Sequence, residues 1–204
     1  GCGVVALEGF LYAAGGYEEG NRLNVVEKYE IETDEWQEVS PMQVRRNGLE
    51  LVELNGFLYA LGGHDGDKHS KIVECYDPKT NLWTFKASMN YENVWFGAVS
   101  FKNEIYVVGN LKSEVYDPIK DCWTEMPSPT ECENGRRLVV FKDKLVVIGG
   151  KVGKPEEWNG ISTVQYFDFI NRVWISKKDM DVARCYHSAA VISCKCLSPD
   201  SFNL

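Results

Sequence analysis

Three histidines, His64, His69 and His187, and seven cysteines are the first candidates for chemistry in this 204-residue chain. A zinc or copper centre needs two or three imidazoles or thiolates converging on one point. His64 and His69 share the loop Gly63-His64-Asp65-Gly66-Asp67-Lys68-His69-Ser70 and could meet, yet the same loop reads as an ordinary solvated turn. Asp65-Gly66-Asp67 lacks the further oxygen ligands of a calcium loop. Cys194 and Cys196 have no matching second pair, which favours free thiols in a loose tail over a metal knuckle. The odd cysteine count and the irregular spacing fit a reduced, intracellular chain. A cytoplasmic location is expected, with the nucleus as the alternative.

Glu27, Glu74 and Glu114 are the carboxylates best suited by spacing to acid–base work, with Gln165 at the corresponding fourth position. Each stands two residues before an aromatic, and that recurrence marks scaffold rather than a single reactive centre. No Gly-x-Ser-x-Gly elbow, phosphate loop or dinucleotide fingerprint is present. The glycines follow a strand and precede another, so they cradle no phosphate at a helix start. The expectation is therefore no catalytic residue, no metal and no cofactor. A net charge of −8 argues against general nucleic-acid binding, and no run of about 18 apolar residues offers a membrane span.

The elements that must carry these residues repeat. An apolar run ends in a diglycine at Gly15-Gly16, Gly62-Gly63 and Gly149-Gly150, with a damaged copy at Gly109-Asn110. An aromatic then precedes Trp by seven positions in Tyr29/Trp36, Tyr76/Trp83, Tyr116/Trp123 and Phe167/Trp174. A unit of roughly 40–50 residues with four short strands is the mark of a propeller blade. Strand A (Val4–Leu7, Leu49–Leu54, Ala98–Phe101, Leu138–Phe141) turns through Glu8-Gly9, Asn55-Gly56, Lys102-Asn103 or Lys142-Asp143 into strand B. Such pairs suit the positive φ angles of a type I′ hairpin. Strand C holds the Tyr, an Asp-Pro turn follows in the second and third units, and strand D holds the Trp. Blades are expected at about 1–47, 48–94, 95–135 and 136–186. An extra inner strand would fall in 187–193, and a polar tail in 194–204.

The Gly-Gly, Tyr-Asp-Pro and Trp pattern resembles kelch repeats over nearly the whole chain. Met42, Met89, Met126 and Met180 near the end of strand D, and Arg45-Arg46 and Arg184 beyond it, resemble the kelch-like subgroup in particular. The resemblance implies an all-β kelch-type propeller of four complete four-stranded blades plus one surplus inner strand, Ser188–Ile192, as part of a six-bladed ring. The chain begins inside a repeat and is expected to be a fragment, with a closed four-bladed ring as the alternative. In the kelch-like subgroup, BTB and BACK domains precede the propeller; neither is present in these residues. The implied role is the substrate-recognition domain of a cullin-type ubiquitin-ligase adaptor, with the ligase recruited through a BTB domain outside this chain. An actin- or cytoskeleton-binding scaffold is the second reading. A propeller enzyme, an oxidase or sugar-processing protein, is the third, disfavoured by the scarcity of histidine.

Loops on a rigid scaffold carry function more often than the scaffold does. In kelch-like proteins the B-to-C and D-to-A loops form the face that grips a partner, and here they vary from unit to unit. They gather Tyr, Trp and Arg, the residues that dominate binding hot spots. The expected contacts for a substrate protein or peptide are Tyr17, Arg45, Arg46, Asn47, His64, Tyr91, Asn93, Trp158, Arg184, Tyr186 and His187. The third B-to-C loop is nearly deleted and is expected to leave a notch in that face.

Overall fold

The computed structural model describes residues 1–110, 112–129, 134–153 and 159–192. Four antiparallel four-stranded sheets follow one another along the chain. The first contains β1 (Gly3–Leu7), β2 (Phe10–Ala14), β5 (Val26–Glu30) and β6 (Glu35–Val39), with a small hairpin, β3 (Tyr17–Glu18) and β4 (Asn21–Arg22), between β2 and β5. The second contains β7 (Glu50–Leu54), β8 (Phe57–Leu61), β9 (Val73–Asp77) and β10 (Leu82–Lys86). The third contains β11 (Gly97–Phe101), β12 (Glu104–Val108), β13 (Ser113–Asp117) and β14 (Cys122–Met126). The fourth contains β15 (Arg137–Phe141), β16 (Lys144–Ile148), β19 (Val164–Asp168) and β20 (Val173–Ser176), with the hairpin β17 (Lys151–Val152) and β18 (Asn159–Gly160) between β16 and β19. This is the all-β, four-bladed arrangement that the repeat predicts.

Local chemistry accounts for the turns. Each A–B pair adopts two successive positive φ angles: 51° and 86° at Glu8-Gly9, 54° and 83° at Asn55-Gly56. Lys102-Asn103 and Lys142-Asp143 are also positive at both positions without glycine, 51° and 63°, and 49° and 56°. Each C–D turn places Asp34, Asn81, Asp121 or Arg172 in the left-handed region. In the first three blades that side chain accepts the hydroxyl of the repeat tyrosine at 2.6–2.9 Å, Tyr29 to Asp34, Tyr76 to Asn81 and Tyr116 to Asp121. Burial and the Asp121 bond together push the Tyr116 hydroxyl well above the usual phenol range.

The diglycine is required by a close approach. Gly15, Gly62 and Gly149 have φ near +60°, and a Cβ on each would stand 2.5 Å from the carbonyl oxygen of Arg46, Asn93 or Arg184. The second glycine donates its N–H to that same carbonyl at 2.8–2.9 Å. The pair thus binds strand B to the D-to-A loop that closes its own blade.

The core lies between blades. One cluster joins Leu7, Tyr12 and Val26 of the first blade to Leu51, Leu58 and Tyr76 of the second. A second joins Tyr59, Leu61 and Val73 to Ile105, Val107 and Tyr116, and a third joins Tyr106 and Val108 to Leu138, Leu145 and Phe167. Each fully buried large side chain contributes about 1.5–3 kcal/mol. Inner strands pack in the order β1, β7, β11, β15, and no comparable packing among the described residues joins β15 to β1. The blades form an open arc.

Both ends of the arc depart from the repeat. Residues 188–192 do not form an inner strand: 189–192 lie beside Val139, Phe141, Val146 and Ile148, and among the described residues no B strand pairs with them. Trp36 is 49% exposed, against 7% for its repeat counterpart Trp83. Among the described residues no other sheet packs against its face.

Candidate loop face

The B-to-C and D-to-A loops meet at one end of the arc. Asn47 and His64 exchange backbone hydrogen bonds at 2.8 and 3.1 Å, joining the D-to-A loop of the first blade to the B-to-C loop of the second. In the first B-to-C hairpin the Arg22 guanidinium lies over the ring of Tyr17, 5.2 Å from its centroid, and Tyr17 stays 57% exposed. Arg22 also approaches Gly66 of the second loop, so the first two loops form one continuous surface. His64 and His69 do meet, edge to face with centroids 5.5 Å apart. His64 Nδ1 accepts the amide of Gly66, and Asp65 accepts those of Asp67 and Lys68. The loop is a self-bonded turn, and no group of three or more potential metal ligands exists among the described residues.

Arg46 and Asn93 are corrections to the expected contact set. Arg46 is fully buried. Its guanidinium donates to the carbonyls of Gly62 and Ile72 at 2.9 Å and to Glu74 Oε1 at 2.6 Å. Glu74 also accepts the amides of Gln43 and Val44. Asn93 is equally buried, its Oδ1 accepting the amide of Asn110 at 3.0 Å. Neither side chain is within reach of a partner. Asn47 is partly buried, whereas Arg45 is exposed. Tyr91 is half-buried, with its hydroxyl donating to Glu125 at 2.8 Å. Arg184 is exposed, and its guanidinium donates within its own loop, to the carbonyl of Val182 and the sulfur of Met180. Trp158 lies outside the described residues, as do Leu111, 130–133 and 154–157 in the expected loops and the tail cysteines Cys194 and Cys196.

One feature of the face was not anticipated. A ladder of backbone bonds crosses the four blades at the mouth of the central channel: Gly48 N–H to Gly1, Trp95 to Gly48, Gly135 to Trp95 and Tyr186 to Gly135, all 2.7–2.9 Å. Gly48, Trp95, Gly135 and Tyr186 all have positive φ, from 52° to 70°. Two of the four positions thus carry large aromatics in a conformation that favours glycine. Their rings meet edge to face at 6.0 Å, and the Tyr186 hydroxyl donates to Asn134 at 2.8 Å. The signal was available in the sequence, since Gly48, Trp95 and Gly135 each stand two residues before an inner strand.

Below this collar is a cleft of about 410 Å³ lined by Cys2, Glu50, Trp95 and Arg137. Arg137 of the fourth blade reaches across the third to pair with Glu50 of the second. At Gly97, the equivalent place in the third blade, a Cβ would stand 2.7 Å from the amide nitrogen of Leu138, so glycine lets the fourth blade's inner strand approach closely. Arg137 also donates to the carbonyls of His187 and Phe96. Burial raises the Glu50 carboxyl to about 7, with Arg137 opposing. Burial and the nearby Arg137 and Arg184 hold the His187 imidazole below its ordinary value, and neither ring nitrogen has a partner.

The kelch motif matches residues 1–43, 45–90 and 134–180. The third blade, whose diglycine is replaced by Gly109-Asn110, falls between the matches. No curated protein matches the sequence. Among solved structures the chain resembles that of YjhT, with a TM-score of 0.79 and 17% identity over 91% of this chain and 72% of that one. At that identity the likeness is one of fold.

Proposed function

Because the chain belongs to the kelch-repeat family, we propose that it is a protein-recognition module that grips a partner protein or peptide on its loop face. One observation carries this reading. The polar side chains that recur from blade to blade are spent on holding blades together. By contrast, exposed Tyr17 and Arg45 and partly buried Arg22 depart from the repeat, and with exposed Arg184 they collect at one end. Tyr and Arg supply large rigid area and forked hydrogen bonds at little cost in conformational freedom.

Within this reading the module is the substrate-binding part of a cullin-type ubiquitin-ligase adaptor, recruited through a BTB domain outside this chain. The support is the resemblance of the repeats, with Met42, Met89 and Met180 and the arginines after strand D.

The test is affinity capture with Tyr17→Ala, Arg45→Ala, His64→Ala and Trp158→Ala variants, beside Ile119→Ala at the opposite end as control. Ile119 is 94% exposed on a C–D turn. Captured partners should bind at least one loop variant about tenfold more weakly and the control unchanged. Retention of every partner by all four loop variants sinks the loop face. A captured partner whose cellular lifetime does not lengthen when the full protein is depleted sinks the ligase reading but leaves the binding face standing.

A further inference from the structure

The Arg137–Glu50 pair uses only part of what each side chain offers. Arg137 spends Nη1 on Glu50 Oε1 and on the carbonyl of Phe96, and Nε on the carbonyl of His187. Its Nη2 has no hydrogen-bond partner among the described residues, and neither has Glu50 Oε2. A fork-to-fork pair would join those two atoms, and the single contact leaves both open. Both side chains keep part of their surface in solvent and line the cleft, whereas the structural pair Arg46–Glu74 is sealed.

Trp95 adds a third free group. The indole N–H of Trp83, Trp123 and Trp174 donates to a carbonyl at 2.7–2.8 Å. That of Trp95, which lines the cleft, has no partner among the described residues. Trp95 is also held at φ 54°, and such strain persists where the surrounding structure over-determines it, often at binding sites. Glu50 opens β7, Trp95 stands two residues before β11 and Arg137 opens β15. The three come from the second, third and fourth blades, whose inner strands pack consecutively.

Charge selects the ligand. In a chain of net charge −8, Glu50 is the only acid lining the cleft and Arg137 the only cationic side chain. A metal cation would find one carboxylate and a guanidinium to repel it. A carboxylate finds a guanidinium N–H and an indole N–H, with a carboxyl O–H once Glu50 is protonated. We infer that the cleft binds a carboxylate, one of its oxygens accepting from Arg137 Nη2 and the other from the protonated carboxyl of Glu50. The site stands independently of the loop-face reading.

Glu50 is suited to that part, since burial outweighs Arg137 and its carboxyl titrates at about 7. The other titratable groups at the cleft are Cys2 and the Gly1 amino group on its wall, and His187 behind Arg137. Burial, Arg137 and Arg184 hold the His187 imidazole below its ordinary value, so it stays neutral above that range. Two ionised carboxylates cannot share the site, so Glu50 carries its proton in the complex. Below about pH 6 that proton is already in place and affinity is level. Above about pH 7 each binding event takes one proton from solvent, and affinity falls about tenfold per unit.

Acetate titrated into the full chain tests it, read on the Trp95 indole N–H resonance assigned through Trp95→Phe. At about pH 6 acetate should shift that resonance with a millimolar dissociation constant. Arg137→Gln should weaken binding about tenfold or more. Glu50→Gln, whose amide donates without a proton from solvent, should match the parent near about pH 6 and bind about tenfold more tightly near about pH 8. Should Arg137→Gln fail to fold, the Glu50→Gln profile alone decides. A capped, glycine-flanked aspartate peptide separates the sources: tighter binding than acetate assigns the site to an acidic side chain of a partner, weaker binding to a free carboxylic acid. No shift up to about 0.1 M acetate overturns the inference. So does binding that survives in folded Arg137→Gln, which would belong to another cation such as the Gly1 amino group, and so do equal pH profiles for the parent and Glu50→Gln.

Discussion

Two arginines near the channel show how far position outweighs residue type. Arg46 and Arg137 both pair with a glutamate of another strand, but Arg46–Glu74 is sealed at 0% side-chain exposure while Arg137–Glu50 retains 26% and 21%. For Glu50 burial outweighs the pairing, and its carboxyl titrates at about 7 instead of 4.5. The folded state then binds a proton between those values that the unfolded state has released. The sign follows: this group's contribution is fully present at low pH and declines as pH rises from about 4.5 through 7. Glu50→Gln, which stays neutral, should therefore gain stability relative to the parent over that window, by at most about 3 kcal/mol. Urea midpoints of both proteins at pH 5 and pH 8 measure the difference. A gap that is constant across the two pH values contradicts the assignment.

At the scale of the strand and its loop, blade identity depends on what the neighbour offers. Glu74 and Glu27 occupy one repeat position, as do Trp83 and Trp36, yet only the second-blade pair is buried against a preceding loop. Glu74→Ala leaves Arg46 charged and uncompensated in the core and should cost about 3–5 kcal/mol. Glu27→Ala on an exposed face should change stability by less than about 0.5 kcal/mol in the monomer. Denaturant titration of the two variants at low protein concentration checks the contrast, and equal losses would refute it. The same contrast explains what could be read in advance. Diglycines, hairpin pairs and the Tyr/Trp spacing are local devices, so the four strands of each blade were legible residue by residue. Whether Arg46 faces a partner or a carboxylate is not local: it depends on Glu74, 28 residues away, and on two carbonyls of the next sheet. Arginines in the D-to-A loops therefore read alike in sequence, although one is core and another, Arg184, is surface. Residues 188–192 misled for a related reason, since an apolar strand pattern forms a strand only where a neighbour supplies the ladder.

The whole molecule is a short linear array, because each sheet packs on the sheets before and after it and little else. In such an array stability is the sum of units and of the junctions between them, so an end unit has one junction where an inner unit has two. The second and third blades are held on both faces; the first and fourth are held on one. Within the first blade, β6 (Glu35–Val39) is the extreme case, exposed along most of its length with only β5 beside it. Amide exchange should therefore be slowest in β8, β9, β12 and β13 and fastest in β6, with β20 close behind. Mass-resolved hydrogen exchange of the chain at low concentration reads this directly. Protection in β6 equal to that in β12 at the lowest concentration would mean that its open face is already covered, and the arc would not be the state in solution.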